Sequence, residues 1–183
     1  MHAILSKLDP ASSETVHKLW EQLRESCGLR AIYETPIPHF SWFVAEQINF
    51  ERASPILSQI VDQQSSMTLH TFGVGLFSGA TPTLYLPIVK SREMIALHET
   101  LWDQITPFSK QVKLYYSPML WVPHITLALK DLTRENLACA VEAIGFEPIE
   151  LFITVNNLAF AENEVEVTGK ILKDYPFPLA HAS

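Results

Sequence analysis

Two short stretches of the chain, Ile37-Pro38-His39-Phe40-Ser41 and Val122-Pro123-His124-Ile125-Thr126, repeat one pattern with an offset of 124 − 39 = 85 residues. Each has an aliphatic residue and a proline before a histidine, then an apolar residue, then a hydroxyl residue. Because side chains alternate faces along a strand, the histidine and the hydroxyl of each stretch share one face. The sequence therefore predicts two strands that each present an imidazole beside a hydroxyl.

Further matches at nearly the same offset indicate that the chain is a duplication. They are Leu19-Trp20-Glu21-Gln22-Leu23 with Leu101-Trp102-Asp103-Gln104-Ile105, and Leu57 and Ile60 with Val141 and Ile144. No low-complexity linker separates the two halves. We therefore expect a single domain over residues 1–183 with two related lobes, built from repeat units of about 1–80 and 81–183.

Hydrophobic periodicity predicts the order strand, helix, strand, helix, strand in each half. The predicted segments are Ala3–Leu8, Val16–Cys27, Ile37–Ile48, Arg52–Gln63 and Met67–Phe77, then Thr83–Val89, Met94–Ile105, Pro123–Leu129, Leu137–Ile144 and Ile149–Val155. Ser12 or Ser13 is expected to cap the first helix and Gly28 to end it. A last strand, Val165–Leu172, is expected to pair with Ile149–Val155 through a turn at 161–164.

Composition indicates an ordinary globular protein and limits its partners. Hydrophobic residues make up 48% of the chain and charged residues 18%, which excludes a disordered chain. The net charge of −7, without any run of lysine and arginine, disfavours binding to a long nucleic-acid duplex. If phosphate is bound, a small local site is expected.

The sequence also suggests where the protein resides. No stretch is long and apolar enough for a membrane span, and the first eight residues lack the pattern of a signal peptide. Cys27 and Cys139 lie at apolar helical positions far apart in the sequence, which favours buried free thiols in a reducing compartment. These features predict a cytoplasmic protein that does not bind membranes.

Two facing histidines suit general acid–base catalysis, because near neutral pH one can be unprotonated while the other is protonated. The neighbouring hydroxyls can donate hydrogen bonds to the oxygens of a phosphoryl group. Such chemistry needs neither a metal nor a cofactor. The alternative is that both histidines are core residues satisfied by the backbone, but this gives no reason for the polar pair to recur at equivalent positions.

On these two motifs in a duplicated chain of this length, the sequence resembles the 2H (two-histidine) phosphoesterase superfamily, and within it the 2′–5′ RNA ligase-like proteins and RNA 2′,3′-cyclic phosphodiesterases. The resemblance implies an α+β fold of two pseudo-twofold lobes, with antiparallel sheets lining a central cleft and helices outside. It implies catalytic roles for His39, Ser41, His124 and Thr126. The implied activities are opening 2′,3′-cyclic phosphates and cleaving or forming 2′–5′ linkages.

The loops before the two motifs supply candidate substrate-binding residues. Aromatic side chains that could stack on a base are Tyr33, Tyr115, Tyr116 and Trp121, although each one taken singly could equally pack its loop. The nearest basic residues are Arg30, Lys110 and Lys113, which form no evident cluster. We therefore expect the substrate to be a small nucleotide or an RNA end. We also expect the protein to be a monomer. A nucleotide-binding module without turnover and a true 2′–5′ ligase remain the alternatives.

Overall fold

The computed structural model describes residues 1–162 and 170–179. Its four helices within that part of the chain are α1 (Pro10–Cys27), α2 (Phe50–Val61), α3 (Arg92–Ile105) and α4 (Leu137–Gly145). Its strands there are β1 (His2–Lys7), β2 (His39–Ile48), β3 (Met67–Thr71), β4 (Gly75–Phe77), β5 (Thr83–Val89), β6 (Ser109–Val112), β7 (His124–Ala128), β8 (Phe152–Val155), β9 (Asn157–Glu162) and β10 (Lys170–Pro176).

The strands form two antiparallel sheets, which confirms the predicted α+β class. The first sheet has the order β10-β9-β1-β2-β6, and the second has the order β4-β5-β3-β8 with β7 paired to β5. Each sheet takes strands from both halves of the sequence, since β3 lies in the second sheet while β6, β9 and β10 lie in the first. The two motif strands, β2 and β7, contact each other across the two sheets.

The predicted pairing of the last strand is wrong. β10 pairs with β9, whereas β8 pairs with β3 in the other sheet. Only Asn156 separates β8 from β9, and so short a connection does not reveal in the sequence that the chain changes sheets there. Residues 163–169, which include half of the predicted turn and the start of the predicted strand at Val165, lie outside the described residues.

Helix ends follow local capping chemistry. Asp9, rather than Ser12 or Ser13, caps α1, because its side chain accepts a hydrogen bond from the Ser12 N–H at 3.0 Å. Gly28 ends this helix as predicted, in a left-handed conformation with φ of 74°. Ser91 caps α3 in the same way by accepting from the Met94 N–H. The two capping residues, Asp9 and Ser91, are 91 − 9 = 82 positions apart. Trp20 and Trp102 in the same two helices are separated by the same offset.

The two motif strands share an irregularity just after the motif. Pairing of β1 with β2 shifts register so that Trp42 is an extra residue, and pairing of β5 with β7 shifts so that Leu127 is extra. Each extra residue directly follows the motif hydroxyl. A bulge at this position ends the strict alternation of faces, so that the residues after the motif are buried on both sides.

The two cysteines form a disulfide, so the prediction of buried free thiols is wrong. Cys27 ends α1 and Cys139 lies in α4, with their Cα atoms 5.8 Å apart and both side chains half-buried. A separation of 112 residues gave no sign that these two helices pack together. Because disulfides persist mainly in oxidising compartments, the cysteines no longer support a reducing one. Within residues 1–162 and 170–179, no helix has the length and apolar character needed to cross a membrane.

Candidate active site

The two motif histidines adopt the same hydrogen-bonded arrangement. The Nδ1 atom of His39 lies 2.7 Å from the carbonyl oxygen of Ile37, and Nδ1 of His124 lies 2.7 Å from the carbonyl oxygen of Val122. A carbonyl oxygen only accepts, so Nδ1 carries the proton in both neutral rings. The basic lone pair therefore lies on Nε2 of each imidazole, the atom that these bonds leave available.

The electrostatic surroundings of the two rings are also similar. Burial lowers the pKa of His39 and of His124, and the bonds to the carbonyl oxygens raise each pKa by a smaller amount. The charge of His39 lowers the pKa of His124 further. The pKa of His124 therefore responds to charge on His39, although the two residues come from different halves of the sequence.

The motif hydroxyls lie on the predicted face. Ser41 and Thr126 are half-buried, as are the histidines, whereas Phe40 and Ile125 between them are buried on the opposite face. The Ser41 side chain lowers the pKa of the Tyr116 phenol by less than burial raises it. Burial raises the pKa of Tyr116 to about 12, so this hydroxyl stays protonated near neutral pH.

A cavity of about 470 Å³ opens beside the second motif. Its walls are mainly aromatic and aliphatic, and none of the residues is charged unless His124 is protonated: Phe77, Thr83, Tyr115, Tyr116, Leu120, Trp121, Val122, His124, Thr126 and Leu129. Three of the four predicted aromatic residues thus lie together with His124 and Thr126. Tyr33 does not, because it lines a separate cavity of about 350 Å³ with Arg24 and Arg30.

The aromatic residues of the main cavity differ in how much of each ring is free. Trp121 is only 2% exposed, and its two stacking partners are His98, with ring centroids 3.8 Å apart, and Trp42, with centroids 5.4 Å apart. The predicted stacking of Trp121 on a base therefore does not fit this geometry. Tyr115 is 60% exposed, which leaves its ring accessible to a ligand.

Basic residues contribute little to this cavity. Lys113 is paired with Glu46, and neither Arg30 nor Lys110 belongs to the cavity lining. The backbone N–H of Arg30 donates to Asp131, which fixes its loop rather than its guanidinium. Within the described ranges 1–162 and 170–179, no group of three or more His, Cys, Asp or Glu side chains could hold a metal ion.

His98 lies behind the cavity wall and contacts two of its lining residues, which the sequence did not predict. It lies in α3, its Nε2 atom is 3.0 Å from the carbonyl oxygen of Tyr116, and its ring covers one face of Trp121. Burial lowers the pKa of His98 to about 4, so the ring is neutral near pH 7. In the sequence, His98 has no second histidine at metal-ligand spacing. No local pattern indicates that its ring contacts Tyr116, which lies 18 residues later.

Two aromatic rings pack beside His124 and depend on a glycine. The Phe77 ring lies 4.9 Å from the His124 ring and the Tyr85 ring lies 5.1 Å from it, while Phe77 and Tyr85 stack at 4.1 Å. A Cβ atom at Gly75 would lie 2.4 Å from the Tyr85 ring. Gly75 is therefore required by the close approach of its backbone to the Tyr85 ring.

We expect Gly75→Ala to destabilise the protein by about 1–3 kcal/mol, as overpacking of a core usually does. The added methyl group must displace Tyr85, which in turn contacts His124. Urea unfolding of the variant and the wild type measures the effect. Gly145→Ala is the control, because its Cβ would lie 3.6 Å from Val141, an ordinary contact. Equal stability of Gly75→Ala and the wild type would contradict the argument.

The match to a family model covers this whole arrangement. Residues 9–166, which include both motifs, match the model of the 2′–5′ RNA ligase superfamily. The chain belongs to the 2′–5′ RNA ligase superfamily. None of the curated protein sequences is similar enough to this chain to count as a match.

Solved structures related to this superfamily member share its fold at low sequence identity. The protein TT0787 of Thermus thermophilus has a TM-score of 0.66 and 15% identity, covering 98% of this chain and 99% of its own. A phosphoesterase has a TM-score of 0.62 and 19% identity, with 97% and 98% coverage. Escherichia coli LigT, crystallised in complex with 3′-AMP, has a TM-score of 0.60 and 15% identity, with 97% and 98% coverage. The duplicated fold predicted from the sequence is thereby confirmed.

Proposed function

We propose that this member of the 2′–5′ RNA ligase superfamily is a metal-independent phosphodiesterase that hydrolyses 2′,3′-cyclic phosphate or 2′–5′ phosphodiester bonds. The observation that carries the proposal is the matched pair of imidazoles. His39 and His124 come from different halves and are fixed in one tautomer by the same backbone bond, and the charge of His39 lowers the pKa of His124. Two histidines with purely structural roles would have no need of the same tautomer and the same backbone bond.

In the proposed reaction, Nε2 of one neutral histidine takes a proton from the attacking water as the new P–O bond forms. The other histidine, protonated, gives its proton to the ribose oxygen as the old P–O bond breaks. One water is consumed, and the two rings exchange protonation states. Ser41 and Thr126 donate hydrogen bonds to the non-bridging phosphoryl oxygens, where negative charge accumulates.

The proposed substrate is a small nucleotide or an RNA end. The cavity beside His124 is lined by aromatic and aliphatic groups and lacks lysine and arginine, which suits a base better than additional phosphates. Tyr115 is the ring with most free surface for stacking. The 3′-AMP complex of LigT is consistent with a nucleotide in this kind of fold. We further propose that the chain acts as a monomer.

The pH dependence of kcat/KM should be bell-shaped with its optimum below about pH 6.5. The acid limb reports protonation of the base and the alkaline limb reports loss of the proton from the acid. Burial holds the pKa of both histidines below the ordinary histidine value. The enzyme form in which only one of the two rings is protonated is therefore most populated at a pH below that ordinary value. Initial rates between pH 4.5 and 9 check this. A flat profile over this range would contradict it.

Phosphorus NMR of the wild-type protein in EDTA tests the proposed function. Separate samples would contain 2′,3′-cyclic mononucleotides and 2′–5′ dinucleotides. We expect the diester resonance to be replaced by that of a monoester, whose isomer identifies the oxygen that leaves. Product formed in the presence of EDTA supports catalysis without a metal. Nucleotide binding without turnover, unchanged in His39→Ala, would instead favour a binding module. If RNA or nucleotide ends were instead joined into 2′–5′ diesters, the result would favour a ligase.

A further inference from the structure

The motif strands have open edges next to their hydroxyl residues. β2 pairs with β1 on one side, but β6 joins it on the other side only from Ala45 onward. β7 pairs with β5 alone among the described strands. A buried backbone carbonyl at such an edge needs a hydrogen bond from elsewhere, since leaving it unpaired is costly.

Two indole groups supply these hydrogen bonds. Nε1 of Trp121 donates to the carbonyl oxygen of Ser41 at 3.1 Å, and Nε1 of Trp20 donates to the carbonyl oxygen of Thr126 at 3.0 Å. Both tryptophans are 2% exposed. The arrangement is reciprocal, because each motif strand is held at its hydroxyl residue by a side chain from the other half of the sequence.

Duplication does not explain this reciprocity. The repeat counterpart of Trp20 is Trp102, whose ring packs on Phe43 with centroids 5.5 Å apart and forms no hydrogen bond to a motif strand. Trp121 lies in the loop just before the second motif and has no tryptophan counterpart before the first. The two halves therefore reach the same contact by different routes, which points to a requirement of the site.

We propose that Trp20 and Trp121 are positioning residues that fix the two motif strands relative to each other. The inference rests on the proposed function for its catalytic consequence. Each indole ties the backbone beside one histidine–hydroxyl pair to the opposite half, so together they set the separation of His39 and His124. The packing of Trp121 between His98 and Trp42 keeps its N–H directed at Ser41.

Trp20→Phe and Trp121→Phe remove the N–H while keeping an aromatic ring. We expect kcat to fall by about 10-fold or more in each variant, because small misplacement of catalytic groups is costly, while KM changes by less than about 3-fold. Trp102→Phe is the matched control and should retain the kcat of the wild type. Each kcat is divided by the fraction of folded protein, which circular dichroism measures. A purely structural role would lower that fraction and leave kcat per folded molecule unchanged.

A histidine titration by NMR tests the inference without any substrate. In the wild type, His39→Ala should raise the pKa of His124, because it removes a like charge. In the Trp20→Phe background this increase should be smaller, since the strands are no longer held at one separation. The Trp102→Phe background should give the wild-type increase.

The outcomes separate this inference from the proposed function. An increase in the pKa of His124 that is equal in the Trp20→Phe and wild-type backgrounds, together with unchanged kcat, would overturn the positioning role and leave the proposed function intact. Weakened coupling in a protein without turnover would support positioning and count against the proposed function. If Trp121→Phe does not fold, Trp20→Phe alone decides, since it breaks the equivalent bond.

Discussion

His39→Ala and His124→Ala should each lower kcat/KM for a 2′,3′-cyclic nucleotide by at least about 100-fold, the lower end of what general acid–base catalysis contributes. The reason is that each ring offers Nε2 from the same fixed tautomer. Without one ring, either water is not deprotonated or the ribose oxygen leaves without a proton. Initial rates at the pH optimum measure the loss.

A histidine outside the motifs provides the control for these variants. His70 lies in β3, pairs with Glu150 and stacks on Phe152, and does not line the cavity. His70→Ala should therefore keep the wild-type rate per folded molecule. If either motif variant retained activity within about 10-fold of the wild type, the acid–base assignment would be wrong for that residue.

Removing the motif hydroxyls should have the second largest effect. We expect Ser41→Ala and Thr126→Val each to lower kcat by about 100-fold, the usual loss when one preorganised donor to a developing anion is removed. Each hydroxyl lies on the same face of its strand as the motif histidine, and in the proposed reaction it donates to the phosphoryl oxygens. Steady-state kinetics of the purified variants measure kcat and KM separately.

Two conservative exchanges are the controls for the hydroxyl variants. Ser41→Thr and Thr126→Ser keep a donor at each position and should retain most of the activity. A loss that appeared in KM with kcat unchanged would show that the hydroxyls bind the ground state and the transition state equally. That result would contradict their proposed role in stabilising charge.

Much of the fold could be predicted because the relevant patterns are local. Strand Thr83–Val89 was predicted with its observed bounds, and Gly28 ends its helix as expected. The predicted strand Met67–Phe77 divides into β3 and β4, since Gly73 between them has a φ of 72°. β6 and β9 were missed because their short segments show no clear alternation. Neither their pairing nor the exchange of strands between sheets is encoded in a short window.

Matching the two repeats did not predict the burial of every apolar side chain. Leu57 is buried, whereas its predicted counterpart Val141 is 46% exposed. Helices α2 and α4 occupy matching positions in the chain order, but they pack against different neighbours: α2 against α3 and β10, and α4 against α1. The other matched pair, Ile60 and Ile144, is buried in both copies, so the offset predicted the elements correctly but not every side chain that faces the core.

Some features of the candidate site depend on residues that are neighbours in the sequence, and others depend on residues that are far apart in it. The histidine and hydroxyl of each motif follow from strand alternation, and the bond from each imidazole to a carbonyl two residues earlier lies within the motif itself. The contacts of Trp20 and Trp121 join residues 106 and 80 positions apart. The position of Trp121 beside the second motif predicts stacking on a base rather than a hydrogen bond to Ser41, and nothing in the sequence near Trp20 distinguishes it from an ordinary core residue.

A change of leaving group tests most directly whether one histidine acts as the base and the other as the acid. A nucleoside phosphodiester with a 4-nitrophenyl leaving group needs no proton at the oxygen that departs. The measurement is kcat/KM of the wild type, His39→Ala and His124→Ala on this ester and on a 2′,3′-cyclic nucleotide.

We predict that one variant, lacking the acid, recovers to within about 10-fold of the wild type on the nitrophenyl ester, while the other stays at least about 100-fold slower on both substrates. This result would also assign the two roles. Equal losses for both variants on both substrates, with the wild type active on each, would contradict a division of acid and base between His39 and His124.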